Sequence, residues 1–422
     1  MTGGAALRAA IVVTGSELIR GDRRDANGPY LARELLLHGV APTQITIVGD
    51  HPRDLGRALE EGLEYDLLVV SGGLGPTHDD RTVELLAGAA EIGLTTVPEL
   101  ESQIEERSRA VAERLRRPYL EFAAGVRKQA TVPDGSVVVG LAGTAPALVL
   151  RARSCVVVLL PGPPRELQAL WPRALETAEV GEVLARATIL MRRSLRFFGV
   201  PESAVAQALA DAGGEGSGVE ATICAHEFEI HLDLVVEPEA GSRADDLLDR
   251  MSTALEDYVY ARDDPSPVEE LVLRRCRERG LTLATAESCT GGMVAERLTS
   301  VSGSSDVFVG AVVAYSNEVK RQQLGVPGDV LDAHGAVSAE TAAAMARGVR
   351  DRLGGDLAVS VTGIAGPLGG TAEKPVGLVY LHVSGPGAEL SEELSYGGDR
   401  ETVRRRATAA ALHLVRRLVT EL

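Results

Sequence analysis

Alternating apolar and amphipathic segments open the chain and predict a βαβ pattern. Apolar runs at 7–15, 43–50 and 65–73 are typical of buried strands, and the segments 27–39 and 52–64 are typical of amphipathic helices. Strands that alternate with helices form a parallel sheet with right-handed crossovers. Because ligands of such sheets bind at the carboxyl ends of the strands, we expect a site after the third strand.

The first predicted helix carries its own boundary signals. Asn27 at its start is a typical N-cap residue, and Gly39 at its end is a typical stop. Both residues support a helix over 27–39.

The pattern changes near residue 173, where shorter elements predict a small α+β module. These elements are a strand at 187–200, a helix at 202–212, one long alternating strand at 219–237 and a helix at 242–260. On one continuous strand, His226 and His231 would lie on opposite faces, which argues against a shared metal ion. The sequence GGEG at 213–216 resembles the GxxG loop of KH domains, but its acidic surroundings favour a plain turn.

Three strand ends are predicted to converge in the last part of the chain. The strand 281–287 runs into a Ser–Cys pair and a helix, and a second strand ends at Tyr315. A third strand runs into a glycine-rich loop that ends near Lys374. We therefore expect an α/β fold with three domains, 1–172, 173–262 and 263–422, because 422 residues are too many for a single core.

Composition and charge restrict the class of protein. A net charge of −17 argues against direct binding of nucleic acid or of an anionic membrane surface. The four cysteines are scattered without a CxxC pair, which is typical of a reduced intracellular protein. The opening segment lacks the basic stretch of a signal peptide, and no apolar run has the length of a membrane span. We expect a cytoplasmic protein.

Lysine is much rarer than arginine in this chain. Of 43 basic residues only Lys128, Lys320 and Lys374 are lysine. Arginine stays protonated in proteins, whereas a desolvated lysine can lose its proton. Lys320, five residues after Tyr315, is therefore a candidate general base. The alternative is that it pairs with a substrate phosphate. Lys374, which follows a glycine-rich loop, is the better candidate for binding phosphate or anchoring that loop.

The segment 71–82, SGGLGPTHDDRT, follows the third strand and combines glycines with two aspartates. The glycines allow the backbone to approach an anion, and the next helix offers its positive end. Asp79 and Asp80 would repel a bare phosphate, but a divalent cation between carboxylate and phosphate removes that conflict. The alternative is that both aspartates only favour the start of the helix through its dipole.

Ser288 and Cys289 lie side by side where the strand 281–287 meets its helix. Such a helix N-terminus can present a nucleophile together with free backbone N–H groups. The alternative is a serine cap beside a buried cysteine.

The motifs TAESCTGG, YSNEVK, GAVSAE, TGIAGPLGGTAEKPVG and GGDR resemble the carboxy-terminal domain of the CinA family, which also occurs alone as a nicotinamide-mononucleotide deamidase. Leu368 replaces an aspartate often seen there. The motifs VTGSELIRG, GGLGPTHDD, RKQATVPDG and LLPGPPREL resemble the amino-terminal CinA domain, which is similar to molybdopterin-binding domains. Ser16, and the surroundings of GTAP, depart from the usual pattern.

The resemblance implies two hydrolytic activities in pyridine-nucleotide recycling. The carboxy-terminal domain would deamidate nicotinamide mononucleotide without a cofactor, using Ser288, Tyr315 and Lys320. The amino-terminal domain would cleave ADP-ribose with a divalent metal ion held by Asp80, Asp79 and Glu17. A homo-oligomer, such as a dimer, is also implied. Backbone N–H groups of Thr290 and Gly291 would stabilise the oxyanion. The substrate-binding residues would be Thr290, Gly291, Gly292, Asn317, Thr362, Gly363, Gly366 and Lys374 in one domain and Asn27, Gly72, Gly73, Gly75 and Thr77 in the other.

Two other functions are compatible with parts of the sequence. The glycine loop with Asp80 and Thr82 also fits a molybdopterin-handling transferase. The family name also allows a non-enzymatic interaction protein in DNA uptake or damage response. The attached deamidase motifs argue against the transferase. The Ser288, Tyr315 and Lys320 set and the acidic charge argue against the interaction protein.

Overall fold

The structure, a computed structural model, describes residues 7–422. The six residues before Leu7, which belong to the first predicted domain, lie outside the described part. The chain forms two compact units. One comprises the chain up to Met191 together with Val236–Gly241, and the other comprises Arg192–Val235 and Ser242–Leu422.

The described part of the first unit is built from eight strands and eight helices, and β5 to β8 follow one another without an intervening helix. The strands are β1 (Arg8–Thr14), β2 (Ala41–Val48), β3 (Leu67–Ser71), β4 (Leu94–Thr96), β5 (Thr131–Pro133), β6 (Val137–Leu141), β7 (Pro146–Ala152) and β8 (Cys155–Leu160). The helices are α1 (Ser16–Ile19), α2 (Asn27–Leu37), α3 (Pro52–Gly62), α4 (Thr82–Ala90), α5 (Pro98–Leu115), α6 (Leu120–Gln129), α7 (Pro164–Leu175) and α8 (Ala178–Leu184).

The main sheet of this unit has the order β2-β1-β3-β8-β7-β6. Its first four strands are parallel, and β7 and β6 are antiparallel additions. The strands β3 and β8 are buried at every position, as expected for parallel strands covered on both faces. The predicted α/β class with a parallel-rich sheet is confirmed.

The N-cap prediction for Asn27 is wrong. Asn27 is already the first residue of α2, and its side chain makes no capping hydrogen bond. Asp25 caps the helix instead, because its carboxylate accepts from the backbone N–H groups of Asn27 at 2.8 Å and Gly28 at 3.1 Å. The side chain of Asn27 is thereby free to turn inward.

The second unit begins with a four-stranded sheet in the order β10-β11-β9-β12. Its elements are β9 (Met191–Phe198), α9 (Glu202–Asp211), β10 (Val219–His226), β11 (Glu229–Val236), α10 (Gly241–Ala254) and β12 (Val259–Arg262). The GGEG segment forms the turn after α9. Arg243 stabilises this turn by donating to the carbonyls of Gly213 and Gly214.

The prediction of one long strand over 219–237 is wrong. The chain reverses at Glu227 and Phe228, both of which have positive φ, so β10 and β11 form a hairpin. His226 and His231 are therefore neighbours across the hairpin, with ring centroids 5.3 Å apart, and not on opposite faces of one strand. The end of the helix predicted over 242–260 likewise contributes to β12.

The rest of this unit is an α/β domain. Its elements are α11 (Val268–Glu278), β13 (Leu283–Glu287), α12 (Met293–Ser300), β14 (Phe308–Val313), α13 (Asn317–Leu324), α14 (Gly328–His334), α15 (Ala339–Leu353), β15 (Leu357–Gly363), β16 (Leu378–Ser384), β17 (Glu389–Ser395) and α16 (Arg400–Glu421), with a 3-10 turn at Ser304–Asp306. A second 3-10 turn, Pro238–Ala240, lies in the short segment Val236–Gly241 of the first unit.

This domain's sheet has the order β14-β13-β15-β16-β17 and separates two cores. Leu283 and Leu357 pack with α16, whereas Ala284 and Ala358 pack with α15 on the opposite face. Because β13 is parallel to both β14 and β15, the carboxyl ends of these strands meet at one edge. That arrangement brings together the three strand ends that the sequence predicts to converge.

None of the helices formed within residues 7–422 is both long and apolar enough to cross a membrane. The predicted domain boundaries at 172 and 262 stay a prediction.

Candidate active site

The turn Ser288–Gly291, here called the nucleophile turn, joins β13 to α12. It closes when the Gly291 N–H donates to the Ser288 carbonyl at 3.2 Å. Gly291 and Gly292 then adopt φ values of +64° and +102°, which glycine tolerates without strain. The turn leaves Ser288 at the carboxyl edge of the sheet with 9 % of its surface exposed.

Lys320 reaches this turn from α13, whose start is capped by the Ser316 hydroxyl. Its Nζ lies 3.1 Å from Ser288 Oγ and donates to the Ala314 carbonyl at 2.8 Å. Only 1 % of Lys320 is exposed, and among residues 7–422 no carboxylate forms a salt bridge with it. Burial lowers the pKa of the Lys320 amine. An uncharged amine beside a serine hydroxyl can accept its proton.

Cys289 is the other potential nucleophile of the turn, but its thiol is buried. Burial raises the pKa of the Cys289 thiol to about 12. Since the thiolate is the reactive form, burial disfavours Cys289 as a nucleophile near neutral pH. The geometry therefore favours Ser288.

Glu287, which the sequence analysis did not single out, is completely buried directly before the turn. Its carboxylate accepts from the N–H groups of Gly292 at 2.9 Å, Val294 at 3.1 Å and Ala295 at 2.9 Å. These donors form the positive end of α12, so they are not free for a substrate anion. An acidic residue just before a glycine turn and a helix is the signal that could have indicated this cap.

The backbone donors predicted for an oxyanion are placed differently from expectation. Thr290 is completely buried, and the Gly291 N–H is engaged by the Ser288 carbonyl. Among residues 7–422 the N–H of Cys289 donates to no other residue. Because the residue after a serine nucleophile commonly supplies an oxyanion donor, the Cys289 N–H is the better candidate.

Tyr315 lies at the same edge but does not hydrogen-bond to Ser288 or Lys320. Its side chain is exposed, and its hydroxyl accepts from Arg400 Nη2 at 2.8 Å. Arg400 also donates to the carbonyl of Gly366 at 2.9 Å, which ties the glycine-rich loop to the site. Asn317 is exposed at the start of α13.

The remaining predicted residues of this domain have structural contacts. The Thr362 hydroxyl donates to the Ala336 carbonyl at 2.6 Å. A Cβ on Gly363 would come within 2.7 Å of the Leu378 carbonyl, so only glycine fits there. Lys374 Nζ donates to the carbonyls of His334 at 2.6 Å and Val337 at 2.7 Å. These contacts fit the loop-anchoring alternative for Lys374, and phosphate binding by Lys374 stays a prediction.

A separate cavity of about 650 Å³ opens at the carboxyl ends of β1 and β3 in the first unit. Three glycines of the 71–82 segment line it, and each lies close to a neighbouring group. A Cβ would approach the Thr14 carbonyl within 2.5 Å at Gly72, Thr82 Oγ1 within 2.1 Å at Gly73, and Asp80 within 2.4 Å at Gly75. Gly73 and Gly75 are partly exposed in this cavity, whereas Gly72 is buried, and binding of a ligand to this backbone stays a prediction.

Asn27 forms part of the cavity wall. Its Nδ2 donates to Ser71 Oγ at 2.9 Å and to the Gly162 carbonyl at 2.7 Å. The Oδ1 atom is buried and has no hydrogen-bond partner among residues 7–422. Glu166, which was not predicted, also lines the cavity, and burial raises the pKa of its carboxyl group.

Asp79 and Asp80 both contact the hydroxyl of Thr77. One hydroxyl has a single proton, so it cannot satisfy both carboxylates at once. Glu17 lines the same cavity, but within residues 7–422 no three His, Cys, Asp or Glu side chains are grouped to hold a metal ion. Mg²⁺ needs only one or two carboxylates beside phosphate and water, so Asp79 and Asp80 fit such an ion.

Three family models match successive parts of the chain. Residues 10–178 match a probable molybdopterin binding domain, residues 192–261 match the damage-inducible protein CinA KH domain, and residues 265–419 match the CinA C-terminal domain. The KH match coincides with the small α+β module, for which the sequence analysis favoured a plain GGEG turn.

Similar proteins are found along nearly the full length. CinA-like proteins of Mycolicibacterium paratuberculosis and Mycobacterium tuberculosis are each 43% identical over 98% of this chain, covering 99% and 97% of the relatives. The competence/damage inducible protein CihA from Agrobacterium tumefaciens is 42% identical, with 37% of this chain and 97% of that chain covered at a TM-score of 0.36. The chain belongs to the CinA family.

Proposed function

We propose that the second unit hydrolyses the amide of nicotinamide mononucleotide to nicotinic acid mononucleotide and ammonia. The observation that carries this proposal is the buried Lys320 amine, 3.1 Å from Ser288 Oγ and without a carboxylate partner. A paired lysine would stay protonated, whereas this one is placed to act as a base.

The reaction follows from this pair in two steps. Lys320 accepts the Ser288 proton while Oγ attacks the amide carbon, and the Cys289 N–H donates to the resulting oxyanion. Lys320 then returns the proton to the leaving ammonia, which leaves an acyl-serine ester. Water attacks the ester with Lys320 again as base, which regenerates Ser288 and releases the carboxylate product.

Tyr315 enters this scheme as a proposed proton relay. Because Arg400 donates to its oxygen, the Tyr315 hydroxyl can offer its own proton elsewhere. Its exposed position suits a contact that forms with bound substrate.

The direct test uses the full-length protein and measures ammonia. Incubation with nicotinamide mononucleotide is expected to release ammonia and nicotinic acid mononucleotide in equal amounts. A molybdopterin-handling transferase or a non-enzymatic interaction protein would release neither. The predicted dimer and the lack of direct nucleic-acid binding stay predictions.

We also propose that the cavity of the first unit cleaves the pyrophosphate of ADP-ribose. The glycine backbone of residues 72–75 would approach the phosphates, and Asp79 and Asp80 would hold a divalent ion. Such an ion, when bound, neutralises developing negative charge on the phosphates. The match to a probable molybdopterin binding domain favours a second candidate, a molybdopterin-type phosphorylated ligand in the same cavity.

Asp80→Ala is expected to lower ADP-ribose cleavage by about 10²–10³-fold, because one group that stabilises transition-state charge is lost. AMP release measures this activity, and ammonia release is expected to stay unchanged. EDTA is expected to abolish AMP release, and added Mg²⁺ to restore it. Asp54→Ala, at an exposed helix position, is the matched control. Undiminished cleavage in EDTA would contradict the metal role.

A further inference from the structure

Arg404 holds the nucleophile turn from the outside. It lies one helical turn after Arg400 on α16, so both side chains share a face of that helix. Its Nε donates to the Cys289 carbonyl at 3.1 Å, and its Nη2 donates to the Thr290 carbonyl at 2.7 Å. One guanidinium therefore binds both central carbonyls of the turn.

The two hydrogen bonds from Arg404 fix the orientation of the peptide planes in the turn. Among the described residues only the Gly366–Pro367 peptide is cis, so the peptides of the turn are trans, with C=O and N–H pointing in opposite directions. The Cys289 and Thr290 carbonyls point toward Arg404, so the N–H groups of the following residues, Thr290 and Gly291, point away from it. The Gly291 N–H then meets the Ser288 carbonyl, and this bond orients the Ser288–Cys289 peptide. That peptide carries the Cys289 N–H, which donates to no other residue among 7–422.

We infer that Arg404 is a positioning residue. It fixes the turn so that Ser288 Oγ and the Cys289 N–H can contact the same substrate amide. This inference rests on the proposed deamidase function. Arg404 does not touch the reacting atoms in this scheme; it acts through the backbone of the turn.

The chemistry of the side chain and of its neighbours supports this role. A planar guanidinium can bind two adjacent carbonyls at once, whereas an ammonium presents a compact point charge. The adjacent arginines are used elsewhere, since Arg405 pairs with Glu227 and Arg406 lies over the rings of Phe228 and Tyr396. Among these three arginines, only Arg404 hydrogen-bonds to the nucleophile turn.

The test compares Arg404→Ala with Arg405→Ala in the full-length protein. We expect Arg404→Ala to lower kcat for ammonia release by about 10²–10³-fold, similar to losing an oxyanion donor, with KM nearly unchanged. Guanidinium ions added at millimolar concentration are expected to restore part of kcat. Arg405→Ala removes the same charge from the same helix and is expected to keep wild-type kcat.

Arg404→Lys keeps the folded protein testable if the alanine variant is unstable. The lysine retains the charge but lacks the planar guanidinium that binds both carbonyls, so kcat is expected to stay at least about tenfold below wild type. Wild-type kcat in Arg404→Ala or Arg404→Lys would overturn the inference. A loss that guanidinium does not rescue and that parallels a loss of folded protein, measured by circular dichroism, would overturn it as well. Absence of ammonia with the wild-type protein would instead refute the deamidase proposal itself.

Discussion

Replacing Lys320 with arginine is expected to lower kcat for nicotinamide mononucleotide hydrolysis by about 10²–10⁴-fold, the usual effect of losing a general base. The substitution keeps the positive charge but removes a group that can accept a proton near neutral pH. KM is expected to change little, because the amine contacts Ser288 and the Ala314 carbonyl and has no place in phosphate binding in this scheme. Steady-state kinetics of ammonia release measure both constants.

The pH profile of kcat provides a second measurement on the same variant. A base works in its deprotonated form, so the wild-type rate is low below the pKa of Lys320 and rises as pH increases through it. Burial lowers that pKa, which moves the rising limb below the ordinary lysine range near 10.4. The arginine variant is expected to lack this limb.

Two further variants separate loss of the base from disruption of the site. Lys320→Met has a similar length without charge, so it is expected to lose kcat equally while the free energy of unfolding is maintained or raised, since no amine is left buried. Arg321→Lys, at the next and exposed position of α13, is expected to behave as wild type. If Lys320→Arg turns over at nearly the wild-type rate and only binding suffers, the lysine is a phosphate ligand, and the base assignment is refuted.

The elements that sequence reasoning located best are those whose burial is uniform. Strand β3 is a continuous apolar run, and its position between helices predicts a parallel sheet. The hairpin of β10 and β11 was missed for a related reason. Alternation continues through Glu227 and Phe228, and neither residue is among the glycine and asparagine types that mark such turns.

The parts of the site that escaped prediction depend on backbone groups whose positions only the fold determines. Arg404 binds two carbonyls that lie 115 and 114 residues away in sequence. Glu287 binds N–H groups of a helix that starts only after the glycine turn. Ser288 and Lys320 were identified because lysine is scarce and the surrounding motifs resemble a known family. Their contact at 3.1 Å is consistent with that pairing.

The choice between Ser288 and Cys289 as nucleophile leads to opposite expectations for two neighbouring variants. Ser288→Ala is expected to lower kcat by a factor on the order of 10⁴–10⁶, because removing a serine nucleophile leaves only binding and oxyanion stabilisation. Cys289→Ala is expected to keep most of kcat, since the proposed oxyanion donor is the backbone N–H and not the thiol. Its cost is a small loss of packing, about 1 kcal/mol of unfolding free energy.

Chemical modification tests the same assignment without mutation. Because burial raises the pKa of the Cys289 thiol to about 12, the thiol is protonated at pH 7. Iodoacetamide is therefore expected to leave ammonia release intact, apart from any reaction at the exposed Cys224, for which Cys224→Ala is the control. If the Cys289→Ala variant is inactive while Ser288→Ala retains turnover, the thiol is the nucleophile. Lys320 would then have to act on sulfur, although its Nζ lies within hydrogen-bond distance of the Ser288 hydroxyl.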